Sequence, residues 1–89
     1  MLTGGQIRAA RALLRWSAEQ TADLARVTRK TIERLEQFEG IPPSRSHTLL
    51  EIKRVFEDAG IEFVGSPENG PGVRLRPGAA EDRHLRDGA

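Results

Sequence analysis

The chain has 89 residues, 37% hydrophobic and 30% charged, which sets one globular domain with a modest core rather than a disordered chain. It has no cysteine, and its two histidines, His47 and His84, lie far apart, so disulfides, thiolate metal sites and a structural zinc are excluded and no cofactor is expected. The net charge of +1 is no argument for nucleic acid by itself, so any such reading must rest on how the charges are distributed. No apolar run approaches the ~20 residues needed to span a bilayer. The start, Met-Leu-Thr-Gly-Gly-Gln, has neither the basic residues nor the apolar stretch of a signal peptide. A cytoplasmic protein without a membrane partner is expected.

A first helix is predicted over 3–15. Thr3 and Gln6 have capping-box spacing, and Ile7, Ala10 and Leu14 share one helical face, with Leu13 widening it. Trp16 and Ser17 mark a break, where Trp16 is read as a packing residue. Ser17 and Gln20 repeat the capping-box spacing and start a second helix over 18–25, in which Ala22 and Ala25 are small enough for close helix contact. Arg26-Val27 is the turn. Thr28 caps a third helix running to about Phe38, with Ile32 and Leu35 inward, and Gly40 is read as its stop. Ile41-Pro42-Pro43-Ser44 forces an extended link.

A fourth helix is predicted over about 48–59, with Thr48 and Glu51 at capping-box spacing. Its stripe is Leu49, Ile52 and Phe56, widened by Leu50 and Val55, and Gly60 is its stop. The period then changes to two. Residues 61–64 and 73–76 alternate like half-buried strands around the turn-rich segment 65–72. A hairpin is predicted, with Ile61, Phe63, Val73 and Leu75 toward the helices and Glu62 facing Arg74 or Arg76. Two strands alone are marginal, so the pair must pack on the helices or join another chain through an open edge. Beyond Pro77, Gly, Ala and alternating charge predict a frayed tail.

The basic residues cluster. From Arg26 to Arg34 there are Arg26, Arg29, Lys30 and Arg34 against one acid, Glu33. Two short helices joined by a sharp turn, with a small residue (Ala22) before it and an apolar one (Val27) in it, are what a helix-turn-helix needs to place its second helix in the major groove. In that setting Arg29 or Arg34 can donate two bonds to guanine, and Lys30 can donate to the same edge. Glu33 can accept from a cytosine amino group or orient a neighbouring cation, and the orienting role is favoured. Glu19 and Asp23, four residues apart, read as solvated side chains. No nucleophile–base set is present, so an enzyme is not expected.

The run Gln6-Ile7-Arg8-Ala9-Ala10-Arg11, then Trp16-Ser17, then Ala22, Ala25, Val27-Thr28-Arg29, Thr31-Ile32 and Arg34-Leu35-Glu36 resembles the phage-repressor-like (Cro-type, xenobiotic-response-element) helix-turn-helix regulators over residues 3 to about 59. The ending Ala59-Gly60-Ile61-Glu62-Phe63 with Gly70-Pro71-Gly72-Val73-Arg74-Leu75 resembles the small stand-alone bacterial members that carry a hairpin. The resemblance implies a mainly α fold of four to five helices followed by a β-hairpin. The division is a DNA-binding unit over 1–60, a packing or dimerisation hairpin over 61–76 and a flexible tail over 77–89.

It also implies a bacterial transcriptional regulator that binds double-stranded DNA as a homodimer. Arg29, Lys30, Glu33 and Arg34 stand at the base-facing positions, while Thr28 and Ser17 are placed to bond phosphates. Arg11 and Glu36 stand where the family joins its first and third helices by a salt bridge. The chain departs from the family pattern at Arg26, where the turn usually has Gly, at Thr21, usually apolar, and at Ala18, usually Gln. Arg26 is then either a strained turn residue, at about 1 kcal/mol or more, or an extra phosphate contact. The other function class is a protein-interaction module, such as a toxin-neutralising antitoxin or a regulator adaptor, working through the hairpin edge.

Overall fold

The computed structural model describes residues 2–77; of the predicted tail, residues 78–89 lie outside the described residues. Four helices are followed by a two-stranded antiparallel hairpin: α1 (Gly4–Leu14), α2 (Ala18–Ala25), α3 (Arg29–Glu36), α4 (Ser46–Asp58), β1 (Ile61–Ser66) and β2 (Asn69–Leu75). No helix among the described residues is long and apolar enough to cross a membrane.

The first three helices start where local chemistry places them. Thr3 and Ser17 each form a full capping box, with the hydroxyl oxygen accepting from the main-chain N–H of Gln6 or Gln20 and that glutamine's side chain accepting in return. The Thr28 hydroxyl oxygen accepts from the Thr31 N–H at the start of α3. The core gathers Ile7, Ile32, Leu35, Leu49, Ile52, Phe56 and Ile61, all fully buried. Trp16 stacks on Phe56 with ring centres 5.7 Å apart, and Phe63 meets Phe56 edge-on at 6.2 Å, so Trp16 is a packing residue that ties α1 to α4 and the hairpin.

Several predicted boundaries move. Leu13 and Leu50 do not widen the apolar stripes; they are 44% and 57% exposed. Each projects about 100° around its helix from a buried leucine, past the reach of the covering elements. α3 ends at Glu36, short of Phe38, and Gln37 caps it in a right-handed conformation. Gly40 is therefore not the stop: its carbonyl accepts from the Gly4 N–H at 3.1 Å and ties the linker to the start of α1. α4 begins at Ser46, and Arg45 caps it without a side-chain bond. Thr48 already lies in the first turn, its N–H given to the Arg45 carbonyl, so the expected Thr48–Glu51 box does not form. Glu51 pairs with Arg54 instead, and Arg54 also reaches Asp58.

The hairpin is longer and tighter than its alternation suggested. Its register pairs Ile61 with Leu75, Glu62 with Arg74 and Phe63 with Val73. Glu62 bonds Arg74 across the wet face, and Arg76 falls just beyond β2. A bulge between Val64 and Ser66 bends β1 into a two-residue turn at Pro67-Glu68. Gly65 makes the bulge possible: its φ is 74°, and a Cβ there would run into the Gly70 carbonyl. Ile61 is buried, while Phe63, Val73 and Leu75 pack against the core half-buried, so the hairpin closes the helical body. From α1, the Gln6 amide donates to the carbonyls of Val64 and Gly72, fastening both strands.

The α2–α3 turn runs through Arg26 at φ 60°, ψ 42°, and α1 likewise ends in Arg15 at φ 56°. The Val27 N–H donates to the Ala22 carbonyl at 2.9 Å, which closes the turn around this left-handed residue. An L-residue with a Cβ pays for that conformation, so Arg26→Gly is expected to stabilise the protein by about 1 kcal/mol, less the extra chain entropy of glycine when unfolded. Equilibrium urea unfolding checks it, and a lower midpoint would assign Arg26 a compensating contact.

Candidate nucleic-acid interface

α3 is an eight-residue helix with a sharply divided surface. Ile32, Leu35 and Glu36 are buried against the body, and Arg29, Lys30, Glu33 and Arg34 are exposed on the outside. Three cations and one carboxylate thus share one open face about 12 Å long. Arg29 donates from Nε to Glu33 Oε1 at 3.0 Å, one helical turn on, with both side chains well exposed. That pair orients the guanidinium at little energetic gain, as exposed i,i+4 pairs do. Lys30 makes no bond among the described residues and lines an open groove with Thr31, Glu33, Arg34 and Gln37. Arg34 donates from Nη1 to the Pro43 carbonyl at 3.0 Å, so the last cation of the face is tied to the α3–α4 linker.

The N-terminal end of α3 completes the face. Thr28 is exposed, and its hydroxyl shares a 2.9 Å bond with the Thr31 hydroxyl while accepting the Thr31 N–H. The N–H groups of Arg29 and Lys30 have no partner among the described residues, leaving two amide donors at the positive end of the helix dipole. Ser17 is exposed at the start of α2, its oxygen engaged by the Gln20 N–H. Arg26 is exposed at the turn, on a side where its charge reaches α4. The Glu51 carboxyl is held below its usual range, chiefly by its bond to Arg54, with smaller contributions from His47 and Arg26.

Behind this face, α3 is clamped to α1. Arg11 forms a two-pronged pair with Glu36, Nε to Oε2 at 2.8 Å and Nη2 to Oε1 at 2.9 Å, and its Nη1 donates to the Trp16 carbonyl. The bond to Glu36, partly offset by burial, raises the Arg11 guanidinium above its ordinary range. Arg8 donates to the Glu36 main-chain carbonyl. Two arginines from α1 therefore hold the last turn of α3, where the helix dipole is negative. The apolar pattern of α1 assigns Arg8 no role. Its spacing of three from Arg11, one helical turn on the same side, was the signal available.

Thr21 is fully buried without an unmet polar group, because its hydroxyl donates to the Ser17 carbonyl at 2.9 Å within its own helix. No protein-family model matches this chain, and no curated protein matches it in sequence.

Proposed function

We propose that the protein is a sequence-specific DNA-binding regulator of the repressor-like helix-turn-helix kind, which inserts α3 into the major groove and acts as a dimer. The observation that carries this reading is the outer face of α3: Arg29, Lys30 and Arg34 exposed side by side on a short helix that is capped at one end and clamped at the other. A major groove about 12 Å wide admits such a helix, and its base edges offer acceptors that match these donors. The resemblance of residues 3 to about 59 to Cro-type regulators supports the same docking, with α2 crossing the backbone. On a two-fold site the half-sites lie about 10 base pairs apart or a multiple.

The side chains divide by role. Arg29, held by Glu33, and Lys30 read base edges. The free N–H groups at the start of α3, with Thr28 and Ser17, bond phosphates. Arg34 reads a base only by releasing the Pro43 carbonyl. Arg26 adds positive charge beside the phosphates.

Selection from random-sequence DNA, followed by titration of the selected site, tests the reading. Arg29→Ala is expected to cost about 1–3 kcal/mol and to relax preference at one base position. Thr28→Ala is the comparison, weakening all sequences alike. A chain that selects no sequence, or alanine variants at Arg29, Lys30 and Arg34 that bind like the parent, would overturn it.

A further inference from the structure

Among the described residues, the only non-glycine positions with positive φ are both arginines: Arg15 at φ 56°, ψ 36° and Arg26 at φ 60°, ψ 42°. Each closes a helix in the same way. The Trp16 N–H donates to the Arg11 carbonyl at 3.0 Å, and the Val27 N–H donates to the Ala22 carbonyl at 2.9 Å. Glycine closes a helix like this without strain, whereas a Cβ crowds the carbonyl that follows. Neither guanidinium offsets that strain inside the protein. Both residues are exposed, and neither side chain makes a hydrogen bond or ion pair among the described residues. Glu51, which feels the charge of Arg26, is already bonded to Arg54.

The two positions bracket α2. Arg15 lies two residues before the Ser17 cap, and Arg26 follows Ala25 directly. The eight residues of α2 span about 12 Å, close to the width of the major groove. The helix itself brings no cation. Its charged side chains are Glu19 and Asp23, both acids, both exposed and neither in an ion pair among the described residues. In the docking proposed above α2 crosses the DNA backbone, where these carboxylates oppose the phosphates.

We infer that Arg15 and Arg26 each bond one backbone phosphate, at opposite ends of α2, and so supply the cationic grip that α2 lacks. This deepens the DNA-binding reading above and rests on it. Such contacts position the protein and carry no sequence information, so they act on every duplex alike. The backbone strain then sits under two side chains whose partner lies outside the chain.

Arg15→Gly and Arg26→Gly test this without threatening the fold, since glycine enters the left-handed region freely. Affinity for the selected site and for an unrelated duplex is measured by fluorescence anisotropy over a range of salt concentrations. Each substitution is expected to lower both affinities by the same factor, on the order of ten-fold at ~0.1 M salt. Each is also expected to reduce the slope of log affinity against log salt by about 1. Arg15→Lys and Arg26→Lys retain the charge and are expected to retain the slope.

Unchanged affinity and slope in either glycine variant overturns the bracket, as does a loss confined to the selected site. Base reading by α3 is judged separately. Lost preference in Arg29→Ala, with slopes that neither glycine variant moves, refutes the bracket and spares α3. A parent that selects no sequence, yet binds duplexes with a slope that both glycine variants lower, refutes base reading and spares the bracket. A parent that binds no duplex refutes both.

Discussion

Arg11→Ala is expected to destabilise the protein by about 3 kcal/mol, a large share of the stability of so small a domain. Glu36 is only 9% exposed at its side chain and both its oxygens are held by Arg11, which is itself 28% exposed. Removing the guanidinium strands a nearly buried carboxylate at the negative end of α3, where the dipole also opposes it. The Trp16 carbonyl loses its donor at the same time. Arg11→Lys restores the charge but not the two-pronged geometry, so it is expected to recover part of the loss.

The double substitution Arg11→Met with Glu36→Leu is expected to lie close to the parent, because the desolvation cost of both charges goes with the pair. Urea unfolding followed by Trp16 fluorescence measures all of these, and this is the only tryptophan in the chain. If the losses in Arg11→Ala and Glu36→Ala simply add in the double alanine variant, the two residues are not coupled. The sign of the Arg11 shift matters at high pH. A cation whose folded pKa is raised contributes stability that is lost only as pH rises through that value, so the arginine side of the clamp survives mild alkali.

What was legible in the sequence was local. The Thr3–Gln6 and Ser17–Gln20 boxes could be read because both partners sit within one helical turn. The same spacing at Thr48 and Glu51 misled, because it does not say whether a threonine is the cap or already inside the first turn. The cap lies three residues earlier, at Arg45, beyond the Pro42-Pro43 link. The alternation of 61–64 and 73–76 gave the faces of the hairpin but not its length, because the bulge at Gly65 depends on the approach of Gly70.

The candidate face on α3 was legible as composition, four charged residues around two apolar ones. Its internal wiring was not: Arg29 to Glu33 was one of several allowed pairs, and Arg34 to Pro43 depends on where the linker runs. Arg11 and Glu36, twenty-five positions apart, came from the family pattern rather than from any spacing rule. Arg8's place one helical turn before Arg11 was visible, but the Glu36 carbonyl as its partner, and the hairpin carbonyls as partners of Gln6, were beyond reach, since a distant main-chain partner leaves no periodic trace.

Gly4→Ala and Gly5→Ala are expected to move stability in opposite directions. Both lie in the first turn of α1, and on helix propensity alone each alanine should stabilise, by up to about 1 kcal/mol. At Gly5 nothing opposes this: a Cβ there would meet only Arg8 Nη2 at 3.6 Å and Thr3 Oγ1 at 3.8 Å, ordinary contacts. At Gly4 a Cβ would fall well inside van der Waals distance of the Leu35 and Phe38 carbonyl oxygens. These are main-chain atoms at the end of α3, so no rotamer change relieves the clash.

The start of α1 and the end of α3 must instead separate. Overpacking of this kind costs about 1–3 kcal/mol, and the separation also strains the Gly4–Gly40 bond and the Arg8 and Arg11 contacts to Glu36. The net expectation for Gly4→Ala is a loss of about 2 kcal/mol. Because the same contacts set the tilt of α3, the proposed function adds that the variant binds DNA more weakly than its loss of stability explains, at temperatures where it remains folded. Thermal and urea unfolding of the two single variants decide the first point. Equal stabilisation by both alanines would show that α1 and α3 do not approach this closely in solution.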